Sequence, residues 1–148
     1  MIGEETIEGY MPSIFIIKAK IENPTEWYDR KFANDIEWEE DEFLESYHAG
    51  DIYISAKDEM VSFEDMSELT FLDWDTEAWI NLAEGRELMY GYYSEEQLEA
   101  EFVHVKDGRC IRNYREYAGE IEADEGDEPH FENWVDVSMY VDEKMLDF

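Results

Sequence analysis

Alternation of apolar and polar positions dominates the chain. In residues 13–21 (SIFIIKAKI), Phe15, Ile17, Ala19 and Ile21 fall on one side and Ile14, Ile16, Lys18 and Lys20 on the other. That period of two predicts a β-strand. Residues 51–57 (DIYISAK) repeat it and predict another. Residues 88–117 predict a three-stranded antiparallel meander: LMYGYY, a turn at SEEQ, LEAEFVHV, a turn at Asp107-Gly108, then RCIRNYREY. Asp-Gly suits the two positive-φ positions of a type I′ hairpin turn. A two-residue turn there pairs Lys106 with Arg109, Val105 with Cys110, His104 with Ile111 and Val103 with Arg112.

Helical signals interrupt this pattern. Asn23 suits a cap, Pro24 the first helical position and Glu26 the acid of a capping box. They predict a helix to about Ala33 that buries Trp27, Tyr28 and Phe32. In WDTEAWINLAEG, Asp75 is a cap, Trp74 can staple onto Trp79, and Gly85 ends the helix. From Glu39 to His48, the spacing of Phe43, Leu44 and Tyr47 predicts a helical face, stopped at Ala49-Gly50. Ile36 and Trp38 alternate ahead of it. Residues 58–73 are mixed, with VSF extended and EDMSEL a short helical turn. Near the end, Trp134, Val137, Val141 and Met145 form one stripe, predicting a terminal helix docked on the sheet. Between meander and stripe, residues 119–130 read as an exposed, mobile acidic loop. The expected fold class is α+β: an antiparallel sheet with a C-terminal three-stranded meander, flanked by several helices. One domain over residues 1–148 is expected, with residues 1–11 as an acidic arm.

Charge changes the picture most. Forty-one Asp and Glu oppose eleven Lys and Arg, a formal net charge of −30. Disordered acidic chains lack aromatic residues, but this one has five Trp, ten Tyr and eight Phe. It is therefore expected to fold despite considerable self-repulsion. Solubility needs only a few net charges, and the preference for Glu over Asp, with abundant aromatics, argues against adaptation to salt. A basic protein is the expected partner. Nucleic acid as a direct ligand requires a basic footprint that is missing, and an anionic membrane is disfavoured likewise. No apolar run approaches the ~20 residues of a spanning helix. One cysteine, Cys110, excludes an intrachain disulfide and fits a reducing compartment. The expected location is the cytoplasm, as a monomer or small homo-oligomer.

Acids cluster in two places. In DIEWEEDEFLE (35–45), Glu37, Glu39, Glu40, Asp41, Glu42 and Glu45 surround Trp38, a candidate anchor. In GEIEADEGDEP (119–129), Glu122, Asp124, Glu125, Asp127 and Glu128 follow Glu120. Both clusters are candidate partner-binding surfaces, since carboxylates pair with Lys and Arg while aromatics supply contact area. Catalytic candidates are absent. Among so many carboxylates no pair stands out as catalytic. His48, His104 and His130 are isolated, Cys110 sits in mid-strand, and there is no GxSxG or phosphate-binding glycine loop. ADEGDE has a calcium-loop composition, but Ile121 occupies the first ligand position of an EF-hand. No metal or cofactor is expected, and no enzymatic activity. Arg86, Lys106, Arg109, Arg112 and Arg115 form a basic strip that is expected to offset acids such as Glu99, Glu101 and Glu116 across the sheet.

The segment EFVHVKDGRCIRNYREY, the acidic loop and ENWVDVSMYVDEKM together resemble small acidic bacterial proteins of the toxin-immunity kind, over residues 88–145. That resemblance implies a compact α+β inhibitor that neutralises a toxin such as a nuclease; it carries over no contact residue. By charge alone the chain is also similar to phage proteins that mimic DNA and block DNA-binding defence or regulatory proteins. Non-catalytic occlusion of a basic cleft is thus the expected function. DNA mimicry is the alternative and an enzyme of unknown reaction the third.

Overall fold

The computed structural model describes residues 10–41, 46–57, 59–67, 70–94 and 96–126. Among these residues nine antiparallel strands form one sheet: β1 (Tyr10–Ile17), β2 (Glu39–Asp41), β3 (Ser46–Ala49), β4 (Ile52–Lys57), β5 (Met60–Asp65), β6 (Leu88–Ser94), β7 (Glu99–Lys106), β8 (Arg109–Tyr117) and β9 (Glu120–Gly126). Their spatial order is β2-β3-β4-β5-β1-β6-β7-β8-β9. Each half is a meander of sequential hairpins, and β1 is inserted between them. Ser13 faces Asp65 on one side, and Ile17 faces Leu88 on the other.

Two helices accompany the sheet among the described residues: α1 (Pro24–Phe32) and α2 (Thr76–Ala83). The fold is therefore mainly β, which overturns the expected α+β class with several helices. The helix expected from Glu39 is replaced by β2 and β3. Gly50, at φ 61°, closes the β3–β4 hairpin instead of ending a helix, and Tyr47 pairs with Ile54. Residues 120–126 are β9, not a loop; residues 127–130 lie outside the described residues. Ala118 and Gly119 both take positive φ (53° and 81°), giving the tight turn that returns the chain along β8. The terminal helix expected around Trp134 lies outside the described residues.

Other expectations hold. Asp107 and Gly108 both have positive φ (55° and 75°), and Lys106 faces Arg109 as expected. Val105 faces Cys110 as expected too, and beyond that pair the ladder slips. A bulge makes Ile111 the extra residue, so His104 faces Arg112 and Val103 faces Asn113. Asp75 caps α2, accepting from the Ala78 N–H at 2.9 Å, and Trp74 packs on Trp79 at 4.7 Å between ring centroids. At α1 the capping box is absent. Asn23 is left-handed and makes no side-chain cap, so Pro24 sets the start of the helix.

Both helices lie on one face of the sheet. Phe15, Phe63, Phe71, Trp79 and Tyr90, all fully buried, form its centre. The ring geometry is specific: Phe15 stacks on Phe63 at 4.6 Å and Trp79 on Tyr90 at 4.4 Å, while Phe71 meets Phe15 edge-on at 5.1 Å. Ile14, Ile16, Met89 and Phe102 form a smaller buried cluster on the opposite face. Gly126, where β9 ends, shows how close two backbones approach: a Cβ there would sit 2.2 Å from the Ile111 carbonyl oxygen.

Candidate functional site

Asp29 on α1 organises the residues that follow the helix. Its Oδ1 accepts from Asn34 Nδ2 at 2.7 Å and from Trp38 Nε1 at 2.9 Å, and the Asn34 N–H donates to the Asp29 carbonyl at 3.2 Å. Trp38 also meets Tyr28 edge-on at 5.7 Å. The expected anchor thus packs inward against α1. Glu37, Glu39 and Glu40 are left pointing to solvent.

Beside this segment lies a cleft of about 350 Å³. Its walls are the end of α1 (Tyr28, Phe32), the run through Asp35 and Ile36, the β3–β4 turn with Asp51, and the turn after β5 with Asp65. Asp35 and Asp51 are exposed, and Asp65 is fully buried. Asp65 Oδ1 accepts from the Ser67 N–H (2.9 Å) and Oγ (2.7 Å), and Oδ2 accepts from the Thr70 N–H (2.8 Å). Burial pushes its pKa up, but the hydrogen bonds from Thr70 and Ser67 outweigh burial and hold it below the usual carboxylate value. A depressed folded pKa adds stability above the unfolded pKa of about 3.9, and that stability is lost as pH falls through the folded value. An Asp65→Asn protein should therefore be less stable than the parent at pH 7, with the gap closing in acid. Urea unfolding midpoints across pH 2–7 (roughly the range spanning carboxylate titration) read this directly. Its neighbour Glu64 shifts the other way, raised by burial on the opposite face.

A second constellation surrounds Glu101, whose side chain is fully buried. Tyr90 Oη donates to it at 2.7 Å, Tyr117 Oη donates to it, the Asp73 N–H donates at 2.9 Å, and the Arg115 guanidinium lies 3.6 Å away. Arg115 also donates to the Trp74 carbonyl at 2.6 Å. The network fastens the segment before α2 to β7 and β8. A carboxylate with two phenols and an arginine has the composition of an acid–base site, yet both oxygens are engaged and the group is sealed from solvent. As described, it is a structural tie.

Comparison with protein-family models, with curated proteins and with solved structures finds no match.

Of the expected partner-binding residues, the structure separates two groups. Glu37, Trp38, Glu39, Glu40 and Asp41 lie at or beside β2, at one edge of the sheet; Glu122, Asp124 and Glu125 lie on β9, at the other. Eight strand spacings of about 4.8 Å each separate them along the sheet. Glu42, Glu45, Asp127 and Glu128 lie outside the described residues. On β9, Asp124 pairs with Arg112 Nη1 at 2.8 Å, and the Glu125 carbonyl accepts from the same guanidinium at 3.2 Å. The basic strip is partly spent in this way: Arg115 faces Glu101 and Arg86 pairs with Glu84 at 3.2 Å. Cys110 is half-buried and donates to the Arg112 carbonyl; burial raises its thiol pKa, opposite to what a nucleophile needs. Among the described residues no group of three or more His, Cys, Asp and Glu is placed to hold a metal ion, and no helix is long and apolar enough to cross a membrane.

Asp51, Asp65 and Tyr28 were not foreseen as site residues. Each sits in a different element, so no spacing in the sequence joins them.

Proposed function

We propose that this protein acts by binding, without chemistry: it occludes a basic protein, in the manner of an immunity protein neutralising a bacterial toxin such as a nuclease. The observation carrying this reading is the exposed acids Glu37, Glu39 and Glu40 at the β2 edge, beside a cleft that displays Asp35 and Asp51. The β2 edge is the working surface. The acids of β9 serve differently, since several are bonded to β8, and charge on an edge strand discourages pairing with a second sheet.

Attraction between exposed charges is screened strongly between about 0.1 M and 1 M salt, where the Debye length falls from ~10 to ~3 Å. Capture of a basic nuclease on the immobilised protein is expected at the lower salt and lost at the higher. Replacing Glu37, Glu39 and Glu40 with Gln should weaken binding by about 3- to 150-fold, at ~0.2–1 kcal/mol per exposed pair. The same change at Glu122 and Glu125 should leave it within about twofold, because those residues lie on the far edge. Equal effects at both edges would argue for non-specific attraction. Displacement of the bound protein by duplex DNA would favour mimicry of DNA.

A further inference from the structure

Resting on that reading, we propose that the cleft between α1, the β3–β4 turn and the turn after β5 is the seat of an arginine side chain presented by the basic partner. Its volume of about 350 Å³ lies at the small end of the ~300–1,000 Å³ of ligand pockets, suited to one inserted side chain. Among the described residues no Lys, Arg or His lines it, whereas Asp35, Asp51 and Asp65 do. The C-terminal end of α1 lies beside it, and that end carries the negative pole of the helix dipole. Charge therefore selects a cation.

Tyr28 supplies an independent indication. This residue is 3% exposed and lines the cleft, yet among the described residues no hydrogen bond engages its hydroxyl. The hydroxyl is not sealed in without a partner; it keeps contact with solvent, and an N–H donor arriving from the cleft would take the place of water there. Burial, then the charges of Asp65 and Asp29, push its pKa up, so the hydroxyl stays neutral and can accept. A metal ion fits poorly, because both oxygens of Asp65 already receive protein donors. Arginine fits better than lysine. Its planar fork spreads five donors over acceptors on different walls, and its weakly hydrated face tolerates contact with Tyr28 and Phe32. Lysine would bring one compact, strongly hydrated charge.

The test uses N-acetyl-arginine amide and N-acetyl-lysine amide at matched ionic strength, followed by NMR of the Asp51, Ser67 and Thr70 amides in the full chain. The arginine probe should shift these signals saturably and the lysine probe far less. Asp51→Asn, an exposed change, should weaken the arginine probe about tenfold, the worth of one charge-assisted contact. Tyr28→Phe, which keeps the ring, should weaken it by a similar factor. Equal shifts from both probes, or from sodium chloride alone, would overturn the assignment, as would unchanged binding in both variants. If the basic protein is still captured fully by the Asp51→Asn, Tyr28→Phe double variant, the cleft assignment fails alone. If the unaltered protein captures no basic protein, the underlying reading fails and the assignment falls with it.

Discussion

Replacing Trp79 with alanine should lower the free energy of unfolding by about 3–5 kcal/mol, the range for deleting a large buried aromatic. Trp79 is fully buried and touches Phe15, Phe71, Trp74 and Tyr90, so one deletion opens a void against both the sheet and the segment before α2. The rings around it belong to different elements and cannot close that void without moving backbone. Its indole N–H has no hydrogen-bond partner among the described residues. Trp79→Phe therefore forfeits volume alone and should recover more than half of the loss. Denaturant midpoints at constant m-value provide the check. A loss below about 1 kcal/mol for the alanine variant would mean the aromatic cluster is not the centre of the core.

Removing the Glu101 carboxylate should cost as much. Glu101→Leu leaves the Tyr90 and Tyr117 hydroxyls, the Asp73 N–H and part of the Arg115 guanidinium without their acceptor in a buried site. Breaking a buried charge pair by removing one member costs about 3–5 kcal/mol, mostly through the charge left behind. The signature is coupling. In a double-mutant cycle with Arg115→Met, Glu101 and Arg115 should interact by at least ~1 kcal/mol. The phenols add an alkaline limit. Burial, then the Glu101 charge and hydrogen bond, raise the Tyr90 pKa; burial and the Glu101 hydrogen bond raise that of Tyr117. A raised folded pKa stabilises below the unfolded value of about 10 and loses that contribution as pH rises above it. Ionisation of these two tyrosines should accompany unfolding rather than precede it, visible as coincident tyrosine absorbance and circular dichroism transitions.

The legible parts of the fold were those set by local chemistry. Asp107-Gly108, the Asp75 cap and the Trp74–Trp79 staple each involve residues within a few positions of one another. Where partners are distant, local pattern misled. Phe43, Leu44 and Tyr47 have helical spacing, but Tyr47 is claimed by Ile54 across the hairpin, and cross-strand pairing outweighs a single turn of helical periodicity. β9 carries almost no apolar residue and alternates weakly. It is a strand because β8 supplies its hydrogen bonds and because Arg112 binds Asp124 and the Glu125 carbonyl. Ala118 at positive φ hid the turn that starts it, since alanine seldom adopts that conformation. The acidic character of residues 35–41 was plain from composition. The cleft was not, because Tyr28, Asp51 and Asp65 become neighbours only when α1 and two hairpins assemble.

The seat of β1 governs how this chain must assemble. During synthesis β1 leaves the ribosome well before either of its lateral mates exists, since Ser13 awaits Asp65 and Ile17 awaits Leu88. The two hairpin arrays can each zip from their own short turns, on microsecond timescales typical of hairpins. Joining them requires an early segment to wait unpaired until β5, and then β6, can take up its two edges. The closing of two long loops on one strand makes that the slow event, in the millisecond-to-second regime of high-contact-order β proteins. Until it happens, a hydrophobic ribbon containing Ile14, Phe15, Ile16 and Ile17 has no shelter, which makes the nascent chain, rather than the finished sheet, the form most exposed to aggregation.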